Sequence, residues 1–193
     1  PDCDFDKSCF DLKPISRLDN YRGFVFGSLN PNVSELIDHL GSATKFIDMF
    51  AAPAPRELEI VSGVSTHLQN CNWKVMHENG PDAYHAITVH KNFFDTMGYR
   101  DRQNNEGGLK TTDAGQRLVG KRASGSYVLG NGHVAFWMER ANPDLYSIYG
   151  DRDRVRAEQP AGVARWMLER GRHLTLFPNL LFNELSNSTM IRT

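Results

Sequence analysis

Apolar and polar positions near the start of the chain predict two short strands joined by a turn. The segment 12–29 contains an apolar and aromatic run from Tyr21 to Phe26, which is typical of buried strand. Asp19 and Asn20 are residue types that favour turns, so we expect the turn between the two strands at these positions.

A helix is predicted next, over residues 33–50, because apolar side chains recur there at helical spacing and form a mostly one-sided stripe. Asn32 is the expected N-cap, with Glu35 three positions further on as in a capping box. The proline-rich stretch 51–55 is expected to end the helix. We place a domain boundary near Pro31, where the apolar pattern is interrupted.

The middle of the chain carries weaker patterns. Residues 58–67 alternate between apolar and polar positions and predict a strand. Residues 73–84 predict a helix that Gly80 and Pro81 must interrupt or restart. Residues 95–124 are polar, dotted with glycine and poor in aliphatic side chains, which predicts a long loop that is mobile or closes over a pocket as a lid.

The final third of the chain predicts four strands and one helix. The strands are expected at 126–129, 133–138, 173–183 and 189–193. The triplet Gly130-Asn131-Gly132 between the first two is a strong hairpin signal. The helix is expected over 160–170, with Gly171 just after its end. Helices and strands in this order predict an α+β fold.

Composition excludes several classes of function. The 193 residues carry a net charge of -1, so no basic excess indicates a nucleic-acid partner. No apolar run approaches the roughly 18 residues that a membrane helix needs, and the acidic, polar start does not resemble a signal peptide. Cys3, Cys9 and Cys71 are sparse and favour free thiols in a reducing cytoplasm. The first residue is not methionine, and we expect a fragment of a longer chain.

The residues with the clearest chemistry are Asp82, His85 and His90. On a helix that restarts at Pro81, Asp82 and His85 are three positions apart and share a face. His90 lies five positions beyond His85, roughly 140° around an ideal helix, so the helix must break before the two imidazoles can converge. The β-branched residues 87–89 favour such a break. Two histidines and one carboxylate form the ligand pattern of non-heme Fe(II) oxygenases.

Spacing alone leaves two other interpretations of these histidines open. A structural pair whose ring nitrogens are satisfied by hydrogen bonds is the commoner outcome for two histidines at this distance. A zinc hydrolase could use similar ligands, although the sequence His-Glu-x-x-His is absent.

A family resemblance changes that balance. The run Glu78 to His85, followed by His90 and preceded by Asn72-Trp73-Lys74, resembles the iron-binding signature of the large subunits of Rieske-type aromatic-ring dioxygenases. Other matching stretches extend over nearly the whole chain, at 21–29, 33–50, 172–179 and 191–193. Within the family, the segments 21–24, 63–66 and 166–170 resemble the benzoate, toluate and anthranilate 1,2-dioxygenases.

The resemblance implies roles for individual residues. His85 and His90 are implied as ligands of a mononuclear Fe(II), and Asp82 as the carboxylate that bridges a ligand histidine to the Rieske cluster of a neighbouring subunit. Asn79 and Tyr84 match the signature and are expected to shape the site. The third ligand of the family is an aspartate beyond the last residue of this chain. The Cys/His pairs that bind the [2Fe–2S] cluster lie before its first residue.

The fold that the resemblance implies is a helix-grip, START-like catalytic domain, in which a long helix packs against a curved sheet with the iron between them. We expect an incomplete catalytic domain over residues 32–193. Residues 1–31 are expected to be the last strands of a β-rich Rieske domain.

The reaction that the resemblance implies is cis-dihydroxylation of an aromatic carboxylate by O2, with electrons from NADH. The implied partners are a small beta subunit, an NADH-dependent reductase and further large subunits in a trimeric assembly. A carboxylate in an apolar pocket needs a cation or several donors. The basic residues near the matching motifs are Lys91, Arg170, Arg172 and Arg192.

Two other functions remain compatible with the sequence. Helix-grip domains also bind apolar ligands without any metal, and a chain that lacks one ligand could do only that. A Rieske monooxygenase or demethylase would share the metal motif and differ in its products.

Overall fold

The computed structural model divides the chain into two compact units, residues 1–39 and 40–193. The residues that it describes are 10–54, 58–104, 122–140, 142–185 and 188–193. Within these ranges the α-helices are α1 (Leu36–Leu40), α2 (Thr44–Ala51), α3 (Lys74–Asn79), α4 (Tyr84–Val89), α5 (Lys91–Asn104), α6 (Arg152–Glu158) and α7 (Ala161–Glu169). The strands are β1 (Arg17–Tyr21), β2 (Phe24–Ser28), β3 (Ser124–Gly130), β4 (His133–Glu139), β5 (Arg170–Leu176), β6 (Leu180–Leu185) and β7 (Ser188–Arg192). The predicted combination of helices and sheet is confirmed.

In the first unit, β1 and β2 form an antiparallel hairpin. Its turn lies at Arg22 and Gly23, whose φ angles are 53° and 89°. The turn expected at Asp19 and Asn20 is therefore wrong, since both residues belong to β1. Positive φ at both central residues is the pattern of a type I′ hairpin turn, and glycine adopts it without steric cost. Asn20 contributes from the strand end, where its Oδ1 accepts a hydrogen bond from the Gly23 amide at 3.1 Å.

The helix predicted over 33–50 is present in part. It begins at Leu36, so the expected capping by Asn32 is wrong, and a 3-10 turn over Gly41–Ala43 separates α1 from α2. Gly41 has a φ of +47°, which interrupts regular helical geometry at that point. The two compact units meet between residues 39 and 40, whereas the sequence placed a domain boundary near Pro31. The assignment of residues 1–31 to a Rieske domain stays a prediction.

The second unit is built on a five-stranded antiparallel sheet in the order β3-β4-β5-β6-β7. Each strand pairs with the next along the chain, and the longest connection, between β4 and β5, carries α6 and α7. Ala135, Leu174 and Phe182 occupy facing positions on the three central strands and are all fully buried. Phe182 stacks on Phe50 of α2 with ring centroids 5.4 Å apart, so we call this side of the sheet the α2 face.

The opposite side of the sheet carries the intervening residues of each strand, because side chains alternate along a strand. Thr175 and Leu181 are facing residues on this side, and both lie directly under Gly80, between α3 and α4. Ser126 of β3 also reaches the α3–α4 junction, with its hydroxyl 3.5 Å from the Pro81 carbonyl oxygen. We call this side the α4 face.

Three buried charges join the sheet to the helices. Arg140 and Arg172 both contact Glu184, at 3.0 and 2.9 Å, with side chains 2% and 1% exposed. Burial by itself raises the pKa of Glu184, but the charges and hydrogen bonds of the two arginines outweigh it and hold that pKa below its ordinary value. Arg172 also donates to the Met49 carbonyl of α2 at 3.3 Å, which connects the cluster to the helix layer.

Several other expectations about secondary structure need correction. Residues 58–67 are irregular rather than strand, and Ile60 and Val64 are 86% and 95% exposed. Their alternation has no neighbouring strand within the described part of the chain. The expected loop 95–124 is helical up to Asn104, where α5 ends, and residues 105–121 lie outside the described ranges together with the lid prediction.

The end of the chain also differs in detail. The predicted hairpin around Gly130–Gly132 and the last strand are confirmed. The segment 173–183 is two strands, because a turn over 177–179 divides it into β5 and β6. The helix expected over 160–170 is confirmed as α7, and Gly171 follows its C-cap residue Arg170, where the chain passes directly into β5. Among the described helices, none combines the length and apolar character needed to cross a membrane.

Candidate functional site

Asp82 connects the start of α4 to the first candidate ligand. Its Oδ1 accepts a hydrogen bond from the Tyr84 amide at 2.8 Å, and its Oδ2 accepts one from the His85 amide at 3.4 Å. These are the first two amides of α4, which have no carbonyl partner within the helix. The same Oδ2 lies 3.1 Å from Nδ1 of His85. One carboxylate therefore both begins the helix and orients the imidazole.

These contacts also favour the ionised carboxylate. The hydrogen bond from the Tyr84 backbone is the largest cause that lowers the pKa of Asp82, partial burial opposes it, and the contacts with His85 lower it further. The Asp82 side chain remains 43% exposed, whereas that of His85 is 21% exposed. The carboxylate is thus an ionised group at the surface that lies against a more buried imidazole.

Asn79, at the end of α3, contacts the other nitrogen of the same ring. Its Nδ2 lies 3.1 Å from Nε2 of His85. Since an ionised carboxylate only accepts hydrogen bonds, Nδ1 carries the proton and Nε2 presents its lone pair toward the amide. That tautomer is the one in which Nε2 could bind a metal.

His90 follows α4 immediately, where the helix breaks as the sequence predicts. Its backbone has φ −94° and ψ 10°, and its amide donates to the Ala86 carbonyl. The break brings the His90 ring to within 5.2 Å of the His85 ring, centroid to centroid, at 66°. Two imidazoles bound to one ion at about 2.1 Å have centroids on the order of 5 Å apart. The distance between the two rings is therefore in the range expected for two ligands of one metal ion.

The described residues bring together no cluster of three or more metal-ligating side chains. His85 and His90 could supply two ligands, while Asp82 contacts His85 through the nitrogen that would not bind the metal. Such an outer carboxylate is a common partner of metal-binding histidines. The arrangement fits the histidine half of a two-histidine, one-carboxylate iron site.

Gly80 has a role that sequence reasoning missed. A Cβ atom at Gly80 would lie 2.6 Å from Oγ1 of Thr175 and 2.8 Å from Cδ1 of Leu181. Only a residue without a side chain allows the segment that carries Asp82 and His85 to approach the sheet this closely. The sequence indicated Gly80 merely as a helix breaker, because the close approach depends on strands about one hundred residues away.

The α4 face of the sheet also carries buried polar groups. Oγ1 of Thr175 and Oδ1 of Asn183 are buried and have no hydrogen-bond partner within the ranges that the structure describes. A cavity of about 30 Å³ lies at the end of the sheet where β4 leads into Arg140, and it has room for about two water molecules. Its walls include Phe136, Met138, Arg140, Gly171, His173 and Glu184.

The four basic residues near the matching motifs, Lys91, Arg170, Arg172 and Arg192, have different surroundings in the structure. Arg172 forms a buried ion pair with Glu184. Arg170 lies between the rings of Trp137 and Trp166, at 4.3 and 4.2 Å from their centroids.

Lys91 is exposed and pairs with Asp95 at 2.6 Å. Arg192 faces Leu181 across the β6–β7 pairing and is half-buried on the α4 face. Its guanidinium contacts two methionine sulfurs, that of Met190 at 3.2 Å and that of Met76 at 4.0 Å.

Comparison with known proteins yields one consistent family. Residues 56–193 match the family model described as the ring-hydroxylating alpha subunit, catalytic domain. The match includes Asp82, His85 and His90.

Curated relatives extend the similarity to nearly the full chain. Toluate 1,2-dioxygenase subunit alpha of Pseudomonas putida is 38% identical over 93% of this chain and 38% of the relative. The large subunit of 2-halobenzoate 1,2-dioxygenase of Burkholderia cepacia is 35% identical over 94% and 38%. The large subunit of anthranilate 1,2-dioxygenase of Acinetobacter baylyi is 35% identical over 97% and 41%. The chain thus spans about two-fifths of the length of these relatives.

Among solved structures, the naphthalene 1,2-dioxygenase of Rhodococcus sp. bound to indole is similar to this chain. The TM-score is 0.65, with 22% sequence identity, over 97% of this chain and 43% of that one. At this level of identity the likeness concerns the fold.

Proposed function

Because the chain belongs to the alpha subunits of ring-hydroxylating dioxygenases, we propose that it is part of a large subunit that cis-dihydroxylates an aromatic carboxylate with O2. The observation that carries the proposal is the placement of His85 and His90, with rings 5.2 Å apart beside the Asp82 carboxylate, inside the segment that matches the family.

His85 and His90 are proposed to hold a mononuclear Fe(II), with the third ligand supplied by an aspartate outside this chain. When bound, the iron supplies a site where O2 is reduced, since two histidines and one carboxylate leave coordination positions open. The alpha-subunit family implies this iron and a Rieske cluster.

Asp82 is proposed to be a positioning residue. Its hydrogen bond to Nδ1 holds the proton on that nitrogen and turns the Nε2 lone pair toward the metal position. The carboxylate is partly exposed, so a neighbouring large subunit could reach it with its [2Fe–2S] cluster. Nδ2 of Asn79 lies 3.1 Å from Nε2, so this amide must move aside for Nε2 to bind a metal.

An aromatic carboxylate is the proposed substrate class. The toluate, 2-halobenzoate and anthranilate enzymes that resemble this chain are named for such acids. A carboxylate carried between the sheet and α4 needs a nearby cation. Arg192 is the favoured residue, because it lies on the α4 face and its guanidinium contacts two sulfurs rather than a carboxylate within the described ranges.

The electrons are proposed to come from NADH through a separate reductase. A small beta subunit and a trimeric arrangement of large subunits complete the proposed assembly, in the cytoplasm. These partners follow from the family alone, and the chain spans less than half of each relative.

The decisive experiment uses the full-length large subunit with its beta subunit and reductase. Benzoate, 2-aminobenzoate and naphthalene are supplied with 18O2, and products are identified by mass spectrometry. Two labelled oxygen atoms in the product of an aromatic acid are expected. One labelled atom would indicate a monooxygenase or demethylase, and preference for naphthalene in kcat/KM would overturn the substrate class.

One observation favours a metal-free binding module instead. Both ring nitrogens of His85 have hydrogen-bond partners, Asp82 and Asn79, as expected of a structural histidine. Iron content separates the alternatives: a dioxygenase retains mononuclear iron in proportion to its subunits, and a binding module takes up none.

A further inference from the structure

Residues 64–68 have the side-chain alternation of a β-strand, although they are irregular in this chain and pair with no strand among the described residues. Aliphatic or β-branched residues alternate with polar ones in the run Val64-Ser65-Thr66-His67-Leu68. The hydroxyl of Ser65 lies 2.9 Å from Nε2 of His67. Side chains two positions apart meet in this way when the backbone is extended, because they point to the same side of it.

The aliphatic side chains of this segment are almost fully exposed to solvent. Val64 is 95% exposed and Leu68 is 94% exposed. Just before them, Ile60 and Val61 are 86% and 81% exposed. Burial of apolar surface is the main favourable term in folding, and contiguous exposed apolar surface marks a place where something binds. Four such side chains within nine positions therefore indicate a surface that a partner covers.

The path of the chain after this segment leads across the sheet from the side of β7. Met76, in the first turn of α3, lies with its sulfur 4.0 Å from Nη1 of Arg192 on β7. Gly80, one residue after α3, lies against side chains of β5 and β6. The chain thus moves from β7 toward the centre of the sheet, and residues 64–68 precede this crossing.

The strand β7 is an edge of the sheet. Within the described ranges it pairs with β6 alone. An edge presents a row of backbone amide and carbonyl groups to which another strand can pair. Every described strand of this sheet pairs with the strand that follows it in sequence, so the same pattern puts the next strand of a longer chain on the open side of β7. The relatives are long enough to supply it, since this chain spans about two-fifths of their length.

Strand directions agree with such an arrangement. β7 ends at Arg192, at the same end of the sheet as the turn between β5 and β6. A strand that follows β7 would return from this end and be antiparallel to it. Trp73 packs against Phe177 of the β5–β6 turn, with ring centroids 5.8 Å apart, so residues 64–68 lead toward the same end. They would be antiparallel to the returning strand, as are all strand pairs of this sheet.

We propose that residues 64–68 form a further strand of this sheet in the full-length large subunit, paired with a segment of the same subunit that follows Thr193. That segment lies between residues 64–68 and the open edge of β7. The pairing buries Val64 and Leu68 and fixes the start of α3, the helix that ends at Asn79 beside His85. The inference depends on membership of the family and not on the proposed substrate or reaction.

Hydrogen exchange of the full-length large subunit, assembled with its beta subunit, tests the pairing. The slowest amides within 64–68 should exchange at least about 100-fold more slowly than the same sequence as an unstructured peptide. Exchange at the rate of the peptide at every position from 64 to 68, in an assembly that is otherwise folded, would overturn the proposal.

The identity of the partner is tested by photo-crosslinking. Ser65 is replaced by p-benzoylphenylalanine, because the polar side of the segment tolerates bulk, and isotopically heavy and light large subunits are mixed before assembly. The expected product joins position 65 to a peptide that follows Thr193 and combines light with light or heavy with heavy only. Products that mix the two isotopes would assign the surface to a second copy of the large subunit. Products with the beta subunit would assign it to that chain, and either result would refute the proposal.

Burial of the aliphatic side is tested with Leu68→Ala, matched by Gln69→Ala at the neighbouring exposed position. In the assembled full-length subunit, Leu68→Ala should lower Tm by about 5 °C or more, and Gln69→Ala should change it by less than about 1 °C. If Leu68→Ala does not assemble, Val64→Ala is measured in its place with the same expectation. Equal Tm values for the aliphatic variant and Gln69→Ala would show that the segment stays exposed, contrary to the proposal.

Discussion

Oδ2 of Asp82 lies 3.1 Å from Nδ1 of His85, three residues further along the chain, and this contact leaves Nε2 as the ring nitrogen that could bind a metal. Asp82 also accepts hydrogen bonds from the first two amides of α4. The position of the His85 ring and the start of the helix therefore depend on the same carboxylate.

Replacing either His85 or His90 by alanine should remove mononuclear iron and abolish ring hydroxylation, because one remaining imidazole and one carboxylate cannot hold the ion tightly. Metal analysis of the full-length subunit measures this, while the visible spectrum of the Rieske cluster should stay unchanged. His77→Ala is the control, since His77 packs against Phe177 with ring centroids 5.6 Å apart. Undiminished iron in either ligand variant would contradict the assignment.

Asp82→Asn should retain most of the iron but lower the rate of electron delivery by about 10- to 100-fold. The amide keeps the shape of the carboxylate and loses the charge that fixes the His85 tautomer. Single-turnover oxidation of the reduced Rieske cluster, started with O2 and substrate, measures the rate. Asp95→Asn, which removes only an exposed pair with Lys91, is the control. Equal rates in all three proteins would leave Asp82 without a role in electron transfer.

Gly80→Ala should destabilise the second unit by about 1–3 kcal/mol and lower iron occupancy. Its Cβ would meet Thr175 at 2.6 Å and Leu181 at 2.8 Å, which forces the segment bearing Asp82 away from the sheet. Gly150→Ala provides the comparison, because a Cβ there meets nothing within 4 Å. Thermal unfolding and metal analysis are the measurements. Should the two variants behave alike, the close approach at Gly80 is unimportant.

Glu184→Gln should lower stability by about 3–5 kcal/mol, because it leaves the guanidinium groups of Arg140 and Arg172 buried without a counter-charge. Glu158→Gln, which removes an exposed pair with Arg154, should cost less than about 1 kcal/mol. The midpoint of denaturant unfolding distinguishes them. A similar shift for both variants would show that burial adds nothing to the cluster.

Glu184 also determines a dependence on pH. Its pKa in the folded protein lies below the ordinary carboxyl value, so its stabilisation is fully present above that ordinary pKa and is lost as pH falls through the lowered folded pKa. Acid unfolding of Glu184→Gln should therefore be less steep than that of the unmodified protein across this interval. Parallel curves would refute the linkage.

Arg192→Met should reduce kcat/KM for benzoate by about 10- to 100-fold, the loss expected for a hydrogen bond to a charged group. Turnover of a neutral ring such as toluene should be unaffected or improved. Arg165→Met is the control, because Arg165 is exposed and pairs with Glu169. Equal losses for benzoate and toluene would indicate that Arg192 supports the sheet and does not bind the carboxylate.

Parts of this protein are determined by short stretches of sequence. The hairpin at Gly130–Gly132 requires residues that adopt positive φ. The helix is interrupted at Gly80 and Pro81 because proline has no amide hydrogen to donate within a helix. The spacing of Asp82 and His85 over three residues places both on one face of a turn. Each feature depends on neighbours in the chain, so local chemistry is sufficient to predict it.

Tertiary structure decided what local patterns left open. Residues 58–67 alternate like a strand yet are exposed, because alternation shows which side chains share a face and not whether a second strand pairs with them. Arg170, Arg172 and Arg192 look equivalent in sequence. In the folded chain Arg170 stacks on an aromatic ring, Arg172 pairs with a carboxylate and Arg192 contacts a methionine sulfur. The residues around each arginine decide this difference. Gly80 and Asn183 also depend on distant parts of the chain. The space around Gly80 is limited by strands that come much later in the sequence. The surroundings that leave Oδ1 of Asn183 without a hydrogen-bond partner among the described residues likewise come from other strands.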